Sequence, residues 1–361
     1  MRIIDGDGHI FEDANEISKH LPAPYSAAAP YRMERLFPPL DHLHVHIGKL
    51  PPESFGGGKP VGPKEWLDFL EDLGIDASVL YPTTALAYGK TVDPDWAIAT
   101  CRAYNDWLHE TYVVRSPRFK GMGLIPMQDP QAGADELARC VEELGMRGAM
   151  LPSMGLALPV AHKYYWPIYA EAERLKCCLA VHGGCHEGFG LDFSNVYAPV
   201  HALGHPFGQM VCFASVVFNG IPQRFPNVRV GFLEGGVAWL FTVLERFDRS
   251  YETHIAYDPR QELFQLEEGE RVSDYIRKHI REGRLFIGCE GEEPEIAHAV
   301  KRVGSTPFMF SSDFPHEVNT DICKHEIQEL IDSDEMTAEA KENILFRNAE
   351  RFYGLEAAAA A

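Results

Sequence analysis

The chain has 361 residues, 45% of them hydrophobic and 24% charged, and its 53 acidic residues against 33 basic ones give a formal charge of −20. That excess of acid argues against nucleic acid and anionic membrane surfaces as partners. No run reaches the roughly 18 consecutive apolar residues of a membrane span, and the chain opens on a strand rather than a signal segment, so a cytoplasmic protein is expected.

Short, β-rich apolar runs recur along the chain. They are "RIIDGD" (2–7), "ASVLYP" (77–82), "GMGLIPM" (121–127), "RGAMLP" (147–152), "CLAVHGG" (178–184), "VRVGFLEGG" (228–236), "RLFIGCE" (284–290) and "PFMFSSDFPH" (307–316). Amphipathic helical stretches separate them. Trp66, Phe69, Leu70 and Leu73 follow the i, i+3, i+4, i+7 rule. So do Ala134, Leu137, Ala138, Val141 and Leu144, and then Ile168, Ala172 and Leu175. Strands that are apolar almost throughout, alternating with helices, predict a parallel sheet covered by helices. Eight such units predict an α/β fold of the (β/α)8 TIM-barrel type. A doubly wound open sheet is the alternative, and the absence of a GxGxxG turn weighs against its dinucleotide-binding form.

Two regions interrupt the pattern. Residues 21–63 are rich in Pro and Gly and read as a lid-like insertion after the first strand, within a single domain spanning 1–354. Residues 185–227 form a long connection after the fifth. The ending "LEAAAAA" reads as the remnant of a tag, so 355–361 are set aside. The eight cysteines contain no CxxC pair and read as reduced thiols. The acidic run Glu290, Glu292, Glu293, Glu295 reads as solvated surface.

In a barrel, chemistry gathers at the C-terminal ends of the strands. Asp7 and His9 alternate on the first strand and so point the same way. A polar turn is the plainer reading of that stretch. The fifth run ends in His182, the sixth in Glu234, the seventh near Glu290 and the eighth in Asp313. Asp313 alone reads as a helix N-cap. Five apolar strands closing in polar residues on one rim are harder to explain that way, because an unpaired buried carboxylate is costly. Two imidazoles with carboxylates form an N/O donor set for one divalent metal.

These residues carry a resemblance. "IIDGDGHI" and "SSDFPH", with "ENILFRNAERFYGL" near the end, resemble the amidohydrolase superfamily. The nearer match is the branch that includes aminocarboxymuconate-semialdehyde, resorcylate and carboxyvanillate decarboxylases. The resemblance implies a metal held by Asp7, His9, His182 and Asp313, with Glu234 standing where the family usually has a histidine. Zinc is the first expectation, with manganese or iron as competitors because Asp7 hardens the site. His182, Glu234 and Asp313 are the expected catalytic groups. The first function expected is a hydrolase that turns a metal-activated water on a small cyclic or aromatic substrate. The alternative is a non-oxidative carboxy-lyase of an aromatic or enoic acid. A barrel that only binds is a third. His44, His186, His205 and His316 are candidate substrate contacts, with Glu187 supporting the site beside His186. Trp239, after the sixth strand, is a candidate wall residue with an apolar packing role as the plainer reading, and Asp5 is expected to brace the metal ligands or cap the turn. The histidines of "HLHVHIG" (His42, His44, His46) read as lid residues. The resemblance also implies a homodimer.

Overall fold

The computed structural model describes residues 1–26, 36–40, 61–184, 186–257 and 264–355. His42, His44 and His46 lie outside the described residues, as do most of the 21–63 insertion and the terminal alanines.

Among the described residues nine strands form two all-parallel sheets. The first comprises β1 (Ile4–Ile10), β2 (Ala77–Pro82) and β3 (Phe119–Gly121), and the second runs from β4 (Gly123–Leu124) through β5 (Gly148–Pro152), β6 (Cys178–His182), β7 (Arg229–Leu233) and β8 (Leu285–Cys289) to β9 (Phe308–Phe310), paired in that order. β3 and β4 are one stave broken at Met122. Across that break the Met122 N–H donates to Leu80 O at 3.2 Å, and the Arg147 N–H to Gly121 O at 3.0 Å. At the other seam, the His9 N–H donates to Phe314 O at 2.7 Å and the Asp313 N–H to Asp7 O at 3.0 Å. Eight staves in sequential order, joined at both seams, give the expected α/β barrel.

The strands are buried on both faces. Every residue of β1, β2, β5, β6 and β8 is buried. Helices supply the outer layer. Pro63–Leu73 turns Trp66, Phe69 and Leu70 inward, Pro130–Glu142 buries Ala134 and Leu137, and Trp166–Leu175 buries Ile168 and Ala172. Their N-termini are set by proline at the first position (Pro63, Pro130) or the second (Pro167) and, for Pro130–Glu142, by Asp129 accepting from the Gln131 and Ala132 N–H groups. The connection after β6 is more ordered than its sequence suggests. It contains a 22-residue helix, Tyr197–Phe218, with Pro206 inside it. Gly204, Pro206 and Gly208 disguise that helix, because all three are poor helix formers. The seven described cysteines are free and buried.

Candidate metal centre and its cavity

β1 does not run straight. Its pairing with β2 shifts register between Asp5 and Gly8, so alternation does not carry Asp5 to the same place as Asp7 and His9. Asp5 turns instead toward the neighbouring staves. Its carboxylate accepts from Ser78 Oγ at 2.5 Å, Ser312 N at 2.8 Å, Ser312 Oγ at 2.9 Å and Asp7 N at 3.2 Å. Burial, only partly offset by these donors, pushes Asp5 up to about 6. It is a brace that ties the strand ends together. Gly8 makes room for this turn: a Cβ there would collide with the Trp66 ring, and would lie 2.5 Å from Ser78 Oγ and 2.7 Å from Asp5 Oδ2.

Beyond the bulge the side chains converge. His182 Nε2 lies 3.1 Å from Asp7 Oδ1, and His9 Nε2 lies 3.6 Å from the same oxygen and 3.3 Å from Asp313 Oδ1. The donor atoms of Asp7, His9 and His182 fall within 4.8 Å of one another, and so do those of His9, Asp313 and His316. Both imidazoles are held by carbonyls on the far side: His9 Nδ1 is 2.7 Å from Pro82 O and His182 Nδ1 is 3.0 Å from Gly183 O. An N–H on each Nδ1 satisfies those carbonyls and leaves each Nε2 with a lone pair facing the carboxylates.

This arrangement fits a cation. His9 is completely buried, and its Nε2 has no hydrogen-bond partner. A lone pair opposite carboxylate oxygens is repulsive unless a proton or a metal stands between them. Burial, together with His316 and His182, holds His9 well below the ordinary histidine value, so a proton is disfavoured. Burial first, then the nearby Asp7, raise Asp313 well above the usual carboxylate range. At His182 burial acts to lower the value, but the charge and hydrogen bond of Asp7 outweigh it and raise it.

The backbone is strained where the chemistry would be. Among the described residues three non-glycine positions have positive φ, and two of them are Glu234 (54°) and Asp313 (53°). Glu234 Oε2 sits 3.4 Å from both His182 Nδ1 and His205 Nδ1 and has no hydrogen-bond partner. Burial first, then Asp313 and Asp7, raise Glu234 well above the usual range. Gly183 lets His205 approach, since a Cβ there would collide with His205 Nδ1. His316 is a strut for Asp313. Its Nδ1 is 2.9 Å from Asp313 Oδ1, its Nε2 is 3.0 Å from Thr83 Oγ1, and its ring stacks on His9 with centroids 4.1 Å apart.

A cavity of about 970 Å³ opens over this cluster, with Glu234, Asp313, His201, His205 and Trp239 in its wall. A smaller one beside it is lined by His186, His205 and His316. Three of the four expected substrate contacts therefore lie at the site, and His44 falls outside the described residues. Glu187 is a correction: its Oε1 pairs with Lys90 Nζ at 2.7 Å rather than supporting His182. The acidic run is another. Glu290 and Glu293 are not solvated surface but cavity wall, and Glu293 bridges two loops by accepting from Val237 N at 2.7 Å and Glu290 N at 2.8 Å. Burial pushes Glu290 up to about 7 and Glu293 up to about 8. The signal available in sequence was Glu290 closing an apolar strand.

A parallel barrel with a buried imidazole–carboxylate cluster at the C-terminal ends of its strands defines a barrel enzyme. The model of the amidohydrolase family matches residues 4–355, and the chain belongs to that family. It is 26% identical over 282 residues to 2-amino-3-carboxymuconate-6-semialdehyde decarboxylase of Dictyostelium discoideum, covering 78% of this chain and 74% of that protein. It is 31% identical over 270 residues to gamma-resorcylate decarboxylase of Rhizobium radiobacter, covering 70% and 76%. In fold it is similar to 5-carboxyvanillate decarboxylase of Novosphingobium aromaticivorans, solved with manganese and 4-hydroxy-3-methoxy-5-nitrobenzoic acid, with TM-score 0.71, 16% identity, and 98% and 96% of the two chains covered. Dihydroxybenzoic acid decarboxylase of Polaromonas, solved with manganese and 2-nitroresorcinol, gives 0.68 at 18% identity over 99% and 98%. These relatives support the carboxy-lyase reading better than the hydrolase reading placed first above. Among the described residues no helix is long and apolar enough to cross a membrane.

Proposed function

We propose that this chain is a metal-dependent, non-oxidative decarboxylase of a small aromatic or enoic acid, with Asp7, His9, His182 and Asp313 as its metal ligands. The observation that carries the reading is the buried, unpartnered His9 Nε2 facing two carboxylates beneath an open cavity. The decarboxylase relatives favour this chemistry over hydrolysis. Two carboxylates among four ligands suit a hard ion, and the manganese in the similar structures puts manganese ahead of zinc.

A divalent ion there would neutralise the substrate carboxylate and a neighbouring oxygen and fix their orientation. The residues do the rest. His316 holds Asp313 in place, and Pro82 and Gly183 fix the ring orientations of His9 and His182. Glu234, partly buried beside His182 and His205, holds a proton at Oε2 and gives it to the carbon that bears the carboxyl group. The bond between that carbon and the carboxyl group breaks, its electron pair stays on the carbon and takes the proton, and CO2 leaves. No oxidant is needed. His186 and His205 would line the substrate pocket.

Headspace CO2 from manganese-loaded protein with a panel of hydroxybenzoates tests the reading. Release that disappears in Glu234→Gln supports it. Turnover of amides or lactones, with no CO2 from any acid, would reject it. The single domain over 1–354 and the homodimer stand as further proposals, checked by limited proteolysis and by light scattering.

A further inference from the structure

The cavity has an unusual wall for an enzyme of organic acids. Beyond Glu234 and Asp313 it presents Glu290, Glu292, Glu293, Glu295, Glu317 and Glu326, and among the described lining residues there is no lysine or arginine. The smaller adjoining cavity adds none. An isolated acidic cluster can be mere solvated surface. Here one member is not: Glu326 is 3% exposed and its Oε2 has no hydrogen-bond partner. A carboxylate oxygen that is desolvated and unpaired is expensive unless something donates to it. Burial, followed by the charges of Glu290 and Glu292, pushes Glu326 up to about 8. Tyr197 and Trp239 also line the cavity. Carboxylates without a basic residue among the described lining make a setting for a cation rather than an anion.

We infer that the substrate is a monocarboxylic acid whose end remote from the metal centre carries a cationic nitrogen, received by the acidic lining that includes Glu290 and Glu326. A second carboxylate at that end would meet like charge with no described cation to receive it, and like-charge juxtaposition is unfavourable. The two diacids in the names of the relatives above would therefore be poor substrates here. This inference rests on the decarboxylase reading for the position of the acid group, but its test separates the two.

The test uses three 2,6-dihydroxybenzoates that differ only opposite the carboxyl group, bearing aminomethyl, hydroxymethyl or carboxyl. Their 2-nitroresorcinol counterparts, in which a nitro group replaces the reacting carboxyl group, form a parallel set. Catalysis is read as kcat/KM for CO2 release, and binding of the nitro set to manganese-loaded protein is read by calorimetry. The expected order in both is aminomethyl, then hydroxymethyl, then carboxyl, with about tenfold or more between the first two. Glu326→Gln and, independently, Glu290→Gln should each shrink that preference while the hydroxymethyl compound still binds. Equal or tighter binding of the carboxyl compound would overturn the inference, as would a preference unchanged in both variants. Fast CO2 release from the carboxyl compound would uphold the decarboxylase reading and sink this one. Preferential, glutamate-dependent binding of the aminomethyl nitro compound without CO2 from any acid would do the reverse.

Discussion

At His9 one ring does two jobs. Nδ1 meets the Pro82 carbonyl at 2.7 Å, and that contact aims Nε2 at Asp7 and Asp313. Replacing His9 with Ala removes a proposed ligand without adding bulk, so metal content measured by mass spectrometry should fall at least tenfold while circular dichroism stays unchanged. His316→Phe is a subtler test. A phenyl ring can keep the stack on His9 but cannot hold Asp313 Oδ1, now 2.9 Å from His316 Nδ1. Loss of such a supporting partner should weaken metal binding by about 10–100-fold. If manganese titration gives the same affinity for His316→Phe as for the parent, the strut role is wrong. Gly8→Ala tests packing alone. With Trp66, Ser78 and Asp5 against the new methyl, it should cost about 1–3 kcal/mol, read from a denaturant midpoint.

Among the elements, the bulged first strand matters most, because it decides which acidic side chains reach the centre. Asp5 sits where the Asp5–Asp7–His9 spacing alone would aim it inward, yet it ties β1 to Ser78 and Ser312. Asp5→Ala should leave buried donors on both neighbouring staves unpaired and cost about 2–4 kcal/mol in a urea melt. A loss near zero would show that the brace is dispensable. The same strand marks the limit of what could be read in advance. All eight staves were legible, because strands buried on both faces must be apolar throughout. The strand-end residues Asp7, His9, His182, Glu234 and Asp313 were legible because polar groups closing such runs have no packing reason to be there. The bulge was not, since it follows from how Gly8 packs against Trp66 and Ser78. Nor was the helix Tyr197–Phe218, whose Gly204, Pro206 and Gly208 read as loop although its register brings His201 and His205 to the cavity wall. Glu290 and Glu293 were taken for surface because a run of charges usually is one; only the fold encloses them.

For the whole molecule, acid stability has an identifiable contributor away from the site. Burial, helped by Arg284 and Lys278, holds His279 down at about 4 against an ordinary value of 6.5. Its folded value lies below its unfolded one, so the unfolded chain binds the proton more readily. The stabilisation from a neutral His279 is complete above about pH 6.5 and is lost as pH falls toward 4. His279→Gln should flatten that part of the stability curve in urea midpoints between pH 4 and 6.5. An unchanged slope would remove His279 from the acid limb. The larger claim is that staves distant in sequence close on one cation. Its most direct test is a crystal structure of the manganese-loaded protein recorded with anomalous scattering. The account predicts one strong peak per chain, within about 2.0–2.6 Å of ligand atoms from Asp7, His9, His182 and Asp313. A peak elsewhere, or none at full manganese loading, would contradict it.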